Sequence, residues 1–237
     1  MPSLRDAMSK CNACYTLGSE KQLSLCTGCK AAKYCSKECQ RKDWQRHKIT
    51  CRTNQTLVES LKAYSETPAG SLDRLVLPDG LTMYELDQRL EKWVTFHSPT
   101  LMGATIHCID LIGNLANART HVMFVRLSAR EKREHFDAPA LYFEFVDACA
   151  VDVEEAMGWA SPWPESLIQL RKMQDDSERE GRGGVTAAMV EVKPLAVQTV
   201  PFGSMKNLRI KKRLKTWKDT LREDINKGKK FGGGNKH

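Results

Sequence analysis

The apolar positions change their period several times along the chain. Between residues 54 and 64, Leu57, Val58 and Leu61 share one side of a helical repeat, so Asn54 to Tyr64 reads as a helix. Thr67-Pro68-Ala69-Gly70-Ser71 is a cluster of breakers and reads as a linker. At Thr82, Glu85 follows three residues later, the signature of a capping box, and Leu86, Leu90, Trp93 and Val94 recur at helical spacing. Ser98 suits an N-cap and Pro99 a first helical position, so a break is expected there, followed by a helix over Leu101 to Leu115 that is apolar on nearly all sides. His121 to Leu127 and Leu141 to Val146 are rich in β-branched and aromatic residues and read as strands. Pro164 to Met173 reads as a short helix, then a charged run Asp175 to Glu180 and a Gly181-to-Gly184 loop. Ala188 to Val200 holds strand signals broken at Pro194, and Ser204 to Ile225 has the pattern of a basic amphipathic helix with Leu208, Leu214, Trp217 and Leu221 as apolar points. These elements predict a mixed α/β (α+β) domain over residues 71–203, followed by a basic helix and a disordered tail over 204–237.

The first fifty residues have no such periodicity. Between 11 and 51 the large apolar residues are only Tyr15, Leu17, Leu23, Leu25, Tyr34, Trp44 and Ile49. A segment this short with so few core residues does not fold unaided and needs a staple. Seven of the nine cysteines lie in it. The N-terminus has no apolar signal region, so the chain is expected to be intracellular, where thiols stay reduced and clustered cysteines bind metal instead of forming disulfides. No apolar run is long enough for a membrane span.

The ligand types arrive in four pairs: Cys11-x2-Cys14, Cys26-x2-Cys29, Cys35-x3-Cys39 and His47-x3-Cys51. Structural zinc takes four Cys or His ligands, so eight fill two sites with none left over. A C-x2-C pair sits on a tight turn, and an i, i+4 pair shares one face of a helix. Spacing alone leaves open whether the pairs are taken sequentially or alternately. Two structural zinc ions are expected, with residues 1–10 as a flexible lead, the finger over 11–51, and a helix and linker over 52–70.

Tyr34, then Cys35-Ser36-Lys37-Glu38-Cys39-Gln40, Trp44, His47 and Cys51, together with both C-x2-C pairs, resembles the MYND-type zinc finger. A RING finger also holds two zincs but ends in C-x2-C. The resemblance implies that the pairs alternate: Cys11, Cys14, Cys35 and Cys39 on one ion; Cys26, Cys29, His47 and Cys51 on the other. It implies a protein-interaction module, adaptor or regulatory, in which Gln40 and Trp44, with Thr27 on the facing turn, help bind a short proline-rich peptide. The plainer role for Trp44 is to cap the small core.

Charge divides the chain. The net +8 is made of +7 over residues 1–57, −8 over 58–203 and +9 over 204–237. Lys37, Arg41, Lys42, Arg46, Lys48 and Arg52 make the finger basic, and Arg209 to Lys215 is a second basic cluster. Both read first as solvated faces. An acidic partner, a nucleic acid or, for the second cluster, nuclear targeting are the sharper readings, and they favour the nucleus over the cytoplasm.

Enzyme chemistry has little support. Many MYND fingers sit inside SET-type lysine methyltransferases, as an insertion within the SET fold, but the ten residues ahead of the finger here are too few for the first SET segment, and His107-Cys108 follows Ile106, not the Asn of a methyl-donor motif. Cys108 with His107 or His121 could be named as a nucleophile and base, yet it lies in an apolar helix pattern that favours an inert thiol. Cys149 has no basic neighbour, the Gly181–Gly184 loop is not followed by Lys-Ser/Thr, and Asp152, Glu154 and Glu155 form an acidic patch without an evident partner. The expectation is a non-enzymatic protein.

Overall fold

A computed structural model describes residues 10–203, 205 and 212–230. The expected flexible lead up to residue 9, the basic residues 209–211 and the tail from 231 lie outside the described residues. The chain divides into two compact units, Met1–Ala69 and Gly70–His237.

In the first unit, the two-residue strands β1 (Ser24–Leu25) and β2 (Lys33–Tyr34) pair antiparallel. Helix α1 then runs 29 residues, Lys37–Ser65. It starts because Ser36 Oγ accepts the Cys39 N–H at 3.2 Å, an N-cap that satisfies one orphan donor. The helix expected over 54–64 is thus the second half of one continuous helix. The buried set around β2 is Cys11, Cys26, Ala32, Tyr34 and Cys51, so the core is built largely from cysteines. Of the seven large apolar residues, Tyr34 alone is buried among the described residues.

The segment expected as a linker is helical instead. Helix α2 is Pro68–Val76, with Pro68 at its first position, where a missing N–H costs nothing. In the second unit, helix α3 (Met83–Cys108) opens with the expected capping box, Thr82 and Glu85 exchanging bonds of 2.9 and 3.1 Å. It does not break at Ser98-Pro99. Pro99 lies inside the helix, and the missing hydrogen bond is outweighed by packing on both sides of it. Leu86, Leu90, Trp93, His97, Leu101 and Ala104 form one fully buried stripe.

Four strands follow, β3 (His121–Ala129), β4 (Phe143–Asp152), β5 (Thr186–Val192) and β6 (Gln198–Phe202), with short helices α4 (Asn117–Thr120), α5 (Lys132–His135) and α6 (Val153–Ala156) and the long helix α7 (Trp163–Arg179) between them. The sheet order is β4-β3-β5-β6. The β3/β5 pair is parallel and the two outer pairs are antiparallel. β5 is buried at nearly every position because helices cover both faces of a central strand. One face packs on α7 through Val122, Val151, Leu167, Leu170, Ala187 and Met189. The other packs on α3 and on helix α8 (Trp217–Asn226). This is the expected mixed helix-and-sheet domain.

Three further extents differ from the sequence reading. β4 continues six residues beyond Val146, which is a bulge: Arg126 faces Asp147 and Leu127 faces Phe145, so the alternation slips there. α7 absorbs the charged run because Gln174 and Ser177 are buried in it, Gln174 Nε2 donating to the carbonyls of Ala118 at 2.7 Å and Val185 at 3.0 Å. The basic C-terminal helix starts only at Trp217 among the described residues. Ahead of it, Arg213 Nε donates to the His107 carbonyl at 3.0 Å and its guanidinium pairs with Asp110 at 3.3 Å, so this cation caps the C-terminus of α3. No helix of the described residues is long and apolar enough to cross a membrane.

Burial makes this unit sensitive to acid. His97 is fully buried, with its ring centroid 4.5 Å from that of Trp93, and burial pushes its pKa from 6.5 down to about 4 although the Ala140 carbonyl at 2.9 Å opposes the shift. The unfolded chain therefore binds the extra proton first. Stability is fully present above pH about 6.5 and declines as the pH falls to about 4, by about 3 kcal/mol for this group. Urea unfolding at steps across that window checks it; the midpoint is expected to fall with pH, and less so in His97→Gln.

Candidate metal centre

Both C-x2-C pairs sit on the same turn. The Tyr15 N–H donates to the Cys11 carbonyl and the Lys30 N–H to the Cys26 carbonyl, each at 2.9 Å. Tyr15 and Lys30 both take a left-handed conformation, with φ of 61° and 54°. The turn wraps the backbone so that both sulfurs of a pair face one point. Helix α1 supplies Cys39, His47 and Cys51; Cys35 lies just ahead of the Ser36 cap, so the Cys35/Cys39 pair is not the helical i, i+4 pair the spacing suggested.

The eight side chains gather as two alternating sets, Cys11, Cys14, Cys35 and Cys39, and Cys26, Cys29, His47 and Cys51. Within each set all ligand atoms lie within 4.8 Å of one another. The geometry fits zinc closely. A tetrahedral ion with Zn–S bonds of about 2.3 Å holds its sulfurs about 3.8 Å apart, and a sulfur and an imidazole nitrogen about 3.5 Å apart. Observed separations are 3.5 Å for Cys14–Cys35 and Cys35–Cys39, 3.8 Å for Cys26–Cys51, and 3.5 Å from Cys29 Sγ to His47 Nε2.

Electrostatics favour a cation in each set. Thiols this close cannot all ionise, so their titrations split. The Thr16 hydroxyl and N–H pull Cys14 down to about 6. Burial opposes ionisation of Cys26, but the Cys29 and Gly28 N–H groups and His47 outweigh it and bring it to about 6. Cys14 and Cys39 push Cys35 up to about 12, and burial with Cys26 pushes Cys51 up to about 11. A divalent cation in each set removes the conflict and lets all four ligands bind as thiolates or neutral imidazole. Four protein ligands fill each ion's shell, so the ions are structural.

A bracket centred on a buried acid joins the two sets, and the sequence reading missed it. Asp43 is buried; its carboxylate accepts from Tyr34 Oη at 2.7 Å and from Arg46 Nε at 2.7 Å. Arg46 also donates to the Asn12 carbonyl, inside the first C-x2-C turn, at 2.7 Å. Tyr34 lies edge-on to the ligand His47, ring centroids 5.8 Å apart. Burial, with the Asp43 carboxylate beside it, pushes the Tyr34 hydroxyl well above its ordinary pKa, so it stays a donor. Gly28 is a second missed position. A Cβ there would lie 3.0 Å from Cys51 Sγ and 2.9 Å from Gln55 Nε2. Gln55 can swing aside; a metal-bound sulfur cannot. Gly28→Ala is expected to weaken zinc at the second site on the order of tenfold and leave the first unchanged, as perturbed supporting shells do. Competition with a chromophoric chelator, resolving two steps, measures it.

The residues considered for catalysis are not assembled. Cys108 is buried, and burial holds its pKa up at about 12. His107 Nδ1 accepts the Leu214 N–H at 3.2 Å, and His121 Nδ1 lies 2.8 Å from Thr120 Oγ1. Asp152 caps α6, accepting from the N–H groups of Glu154 and Glu155 at 2.8 and 3.1 Å, and Glu154 pairs with Arg171.

The ligand sets and their turns define a two-site Cys/His zinc finger. Residues 9–51 match the family described as the MYND finger. Among curated proteins, the chain is 46% identical over 48 residues to SET domain-containing protein 14 of Caenorhabditis elegans, covering 20% of this chain and 11% of that protein. It is 40% identical over 55 residues to the Hypoxia-inducible factor prolyl hydroxylase of Caenorhabditis elegans, covering 23% and 8%. It is 48% identical over 42 residues to N-lysine methyltransferase SMYD2-A of Danio rerio, covering 18% and 9%. The chain thus spans about a tenth of the length of the curated relatives it matches. No solved structure matches it. Residues 9–51 of this chain are a MYND finger, and its two ligand sets fit two structural zinc ions.

Proposed function

We propose that the finger recognises a short extended segment of a partner protein, proline-rich or acidic, and that the chain acts as an adaptor or regulator. The observation that carries this is the clustering of three side chains at the second zinc site. Trp44 is 42% exposed, with its ring edge-on to the ligand His47 at 6.3 Å. Gln40, one turn earlier, donates its amide to Cys26 Sγ at 3.7 Å. Thr27 is exposed on the C-x2-C turn itself. A half-exposed indole beside a metal-fixed turn suits an extended proline segment, which loses little entropy on docking. Of the six cations from Lys37 to Arg52, Arg46 is committed to Asp43, and the other five supply a basic rim for an acidic partner. Titration of zinc-loaded chain with a labelled proline-rich peptide tests the reading. Trp44→Ala is expected to weaken binding about tenfold and chelation to abolish it. Binding untouched by both changes would overturn it. Duplex DNA serves as the control; affinity for it that falls steeply with salt would instead favour a nucleic-acid role for the basic residues.

A second reading, a lysine methyltransferase, draws on the names of the relatives SET domain-containing protein 14 and N-lysine methyltransferase SMYD2-A. Transfer of labelled methyl from the methyl donor to histone or extract proteins would support it, and none is expected on the first reading.

A further inference from the structure

Helix α1 carries a line of cations beside its zinc ligands. At about 100° per residue, the buried Asp43, His47 and Cys51 point one way, and Lys37, Arg41, Lys48 and Arg52 fall together on the outward side. Trp44 lies between these two sides of the helix and, along its length, between the two pairs of cations. Lys37, Arg41 and Arg52 are exposed and Lys48 is half-buried. Lys48 Nζ donates to Gln45 Oε1 at 2.8 Å, a neutral partner, and none of the four is in an ion pair among the described residues. Arg46, on another side of the helix, is taken by Asp43. Glu38 stands three residues ahead of Arg41, but its carboxylate accepts from its own N–H and the Ser36 hydroxyl and is divided between Arg41 and Lys21.

The metal centres do not cancel this charge. Two zinc ions on seven thiolates leave −3, and between Lys10 and Arg52 ten cations stand against Glu20, Glu38 and Asp43, so the loaded finger keeps +4. Like charges in line on one helix repel, and an acidic partner relieves the repulsion. The spacing says more. At about 1.5 Å of rise per residue, Lys37 and Arg41 are about 6 Å apart along the axis, as are Lys48 and Arg52, and about 10 Å separates the pairs around the indole. The counter-charges are therefore wanted in two groups with an uncharged centre between them. A nucleic-acid strand, charged at every residue, has no such gap. An extended segment at about 3.1 Å per residue spans the whole line, about 22 Å, with seven residues.

Resting on the reading that Trp44 receives proline, we propose that the partner's segment joins both chemistries: a proline centre on Trp44, with acidic residues on both sides of it, about two to four positions away, over Lys37 and Arg41 at one end and Lys48 and Arg52 at the other.

The test uses full-length, zinc-loaded protein and four labelled decapeptides with one shared proline centre, flanked by glutamates on neither side, on the first side, on the second side or on both. Anisotropy titration is expected to give the two-sided peptide about tenfold tighter binding than the neutral one, the one-sided peptides falling between, and the differences should vanish at high salt. Lys37→Gln with Arg41→Gln, or Lys48→Gln with Arg52→Gln, should reduce the two-sided peptide to one-sided affinity, and all four substitutions together should make the four peptides alike. Neutral peptide bound through Trp44 with no gain from glutamates would overturn the proposal and leave the proline reading standing. No binding by any peptide would overturn both. A two-sided peptide that binds as well with alanines at its centre, or a single-stranded oligonucleotide of ten residues that binds more tightly than any peptide, would also overturn the proposal.

Discussion

Chelation of the reduced protein is expected to unfold the first unit and leave the second folded. Zinc analysis of dialysed protein should give two ions per chain, and Cys26→Ser one. The expectation follows from what the core of the finger contains. Its hydrophobic cluster is Cys11, Cys26, Ala32, Tyr34 and Cys51, and three of these five are ligands. Without the ions there is little apolar surface left to hold the chain, and clustered thiols must take up protons or repel. Structural zinc in such small modules contributes on the order of 10 kcal/mol or more, which is comparable to the whole stability of a typical domain. Circular dichroism should therefore lose the helical signal of residues 37–65 when chelator is added, with the remaining helix and sheet signal intact. A finger that keeps α1 in excess chelator would contradict the two-site assignment.

Trp93→Ala is expected to cost the second unit about 3–5 kcal/mol, the range for deleting a buried ring. Trp93 has no exposed surface and sits at the centre of the α3 stripe. It is 4.5 Å from the His97 ring and edge-on to Phe143 of β4 at 6.1 Å, so its loss opens a cavity where helix meets sheet. Zinc content should be unchanged, because the finger belongs to the other unit. A shift of the urea midpoint with two zincs retained is the expected pair of results; a loss of zinc would show a dependence between the units that their separate cores do not suggest.

What could be read from the sequence was mostly local. The C-x2-C turns, the Thr82/Glu85 box and the β-rich run at His121 each depend on residues a few positions apart, and each formed as expected. The readings that failed were overruled by distant partners. Pro99 marks a break unless Trp93, His97 and Leu101 are all buried against the same sheet. Asp175 to Glu180 resembles a solvated loop until Arg119, some sixty residues earlier, pairs with Asp175 and Glu178. The stretch Ala148-Cys149-Ala150 has weak strand propensity and joins β4 only because β3 lies beside it. At the metal centre the ligands were legible and the bracket was not. Asp43 stands in a run of charged residues with no local sign of burial; its burial depends on Tyr34 and Arg46 converging on it. The signal that could have found it is an acid inside a basic helix, three residues before an Arg and nine after a Tyr.

Helix α1 gives the finger a property that neither ligand set has alone. Cys39 belongs to one ion and His47 and Cys51 to the other, all on one uninterrupted rod. At about 1.5 Å of rise per residue, the eight positions from Cys39 to His47 set these two ligands about 12 Å apart along the helix axis. Loading either ion anchors the rod and so aims the remaining ligands of the other. The second ion should therefore bind more tightly to a molecule that already carries the first, and zinc uptake by the unaltered finger should be steeper than for two independent sites.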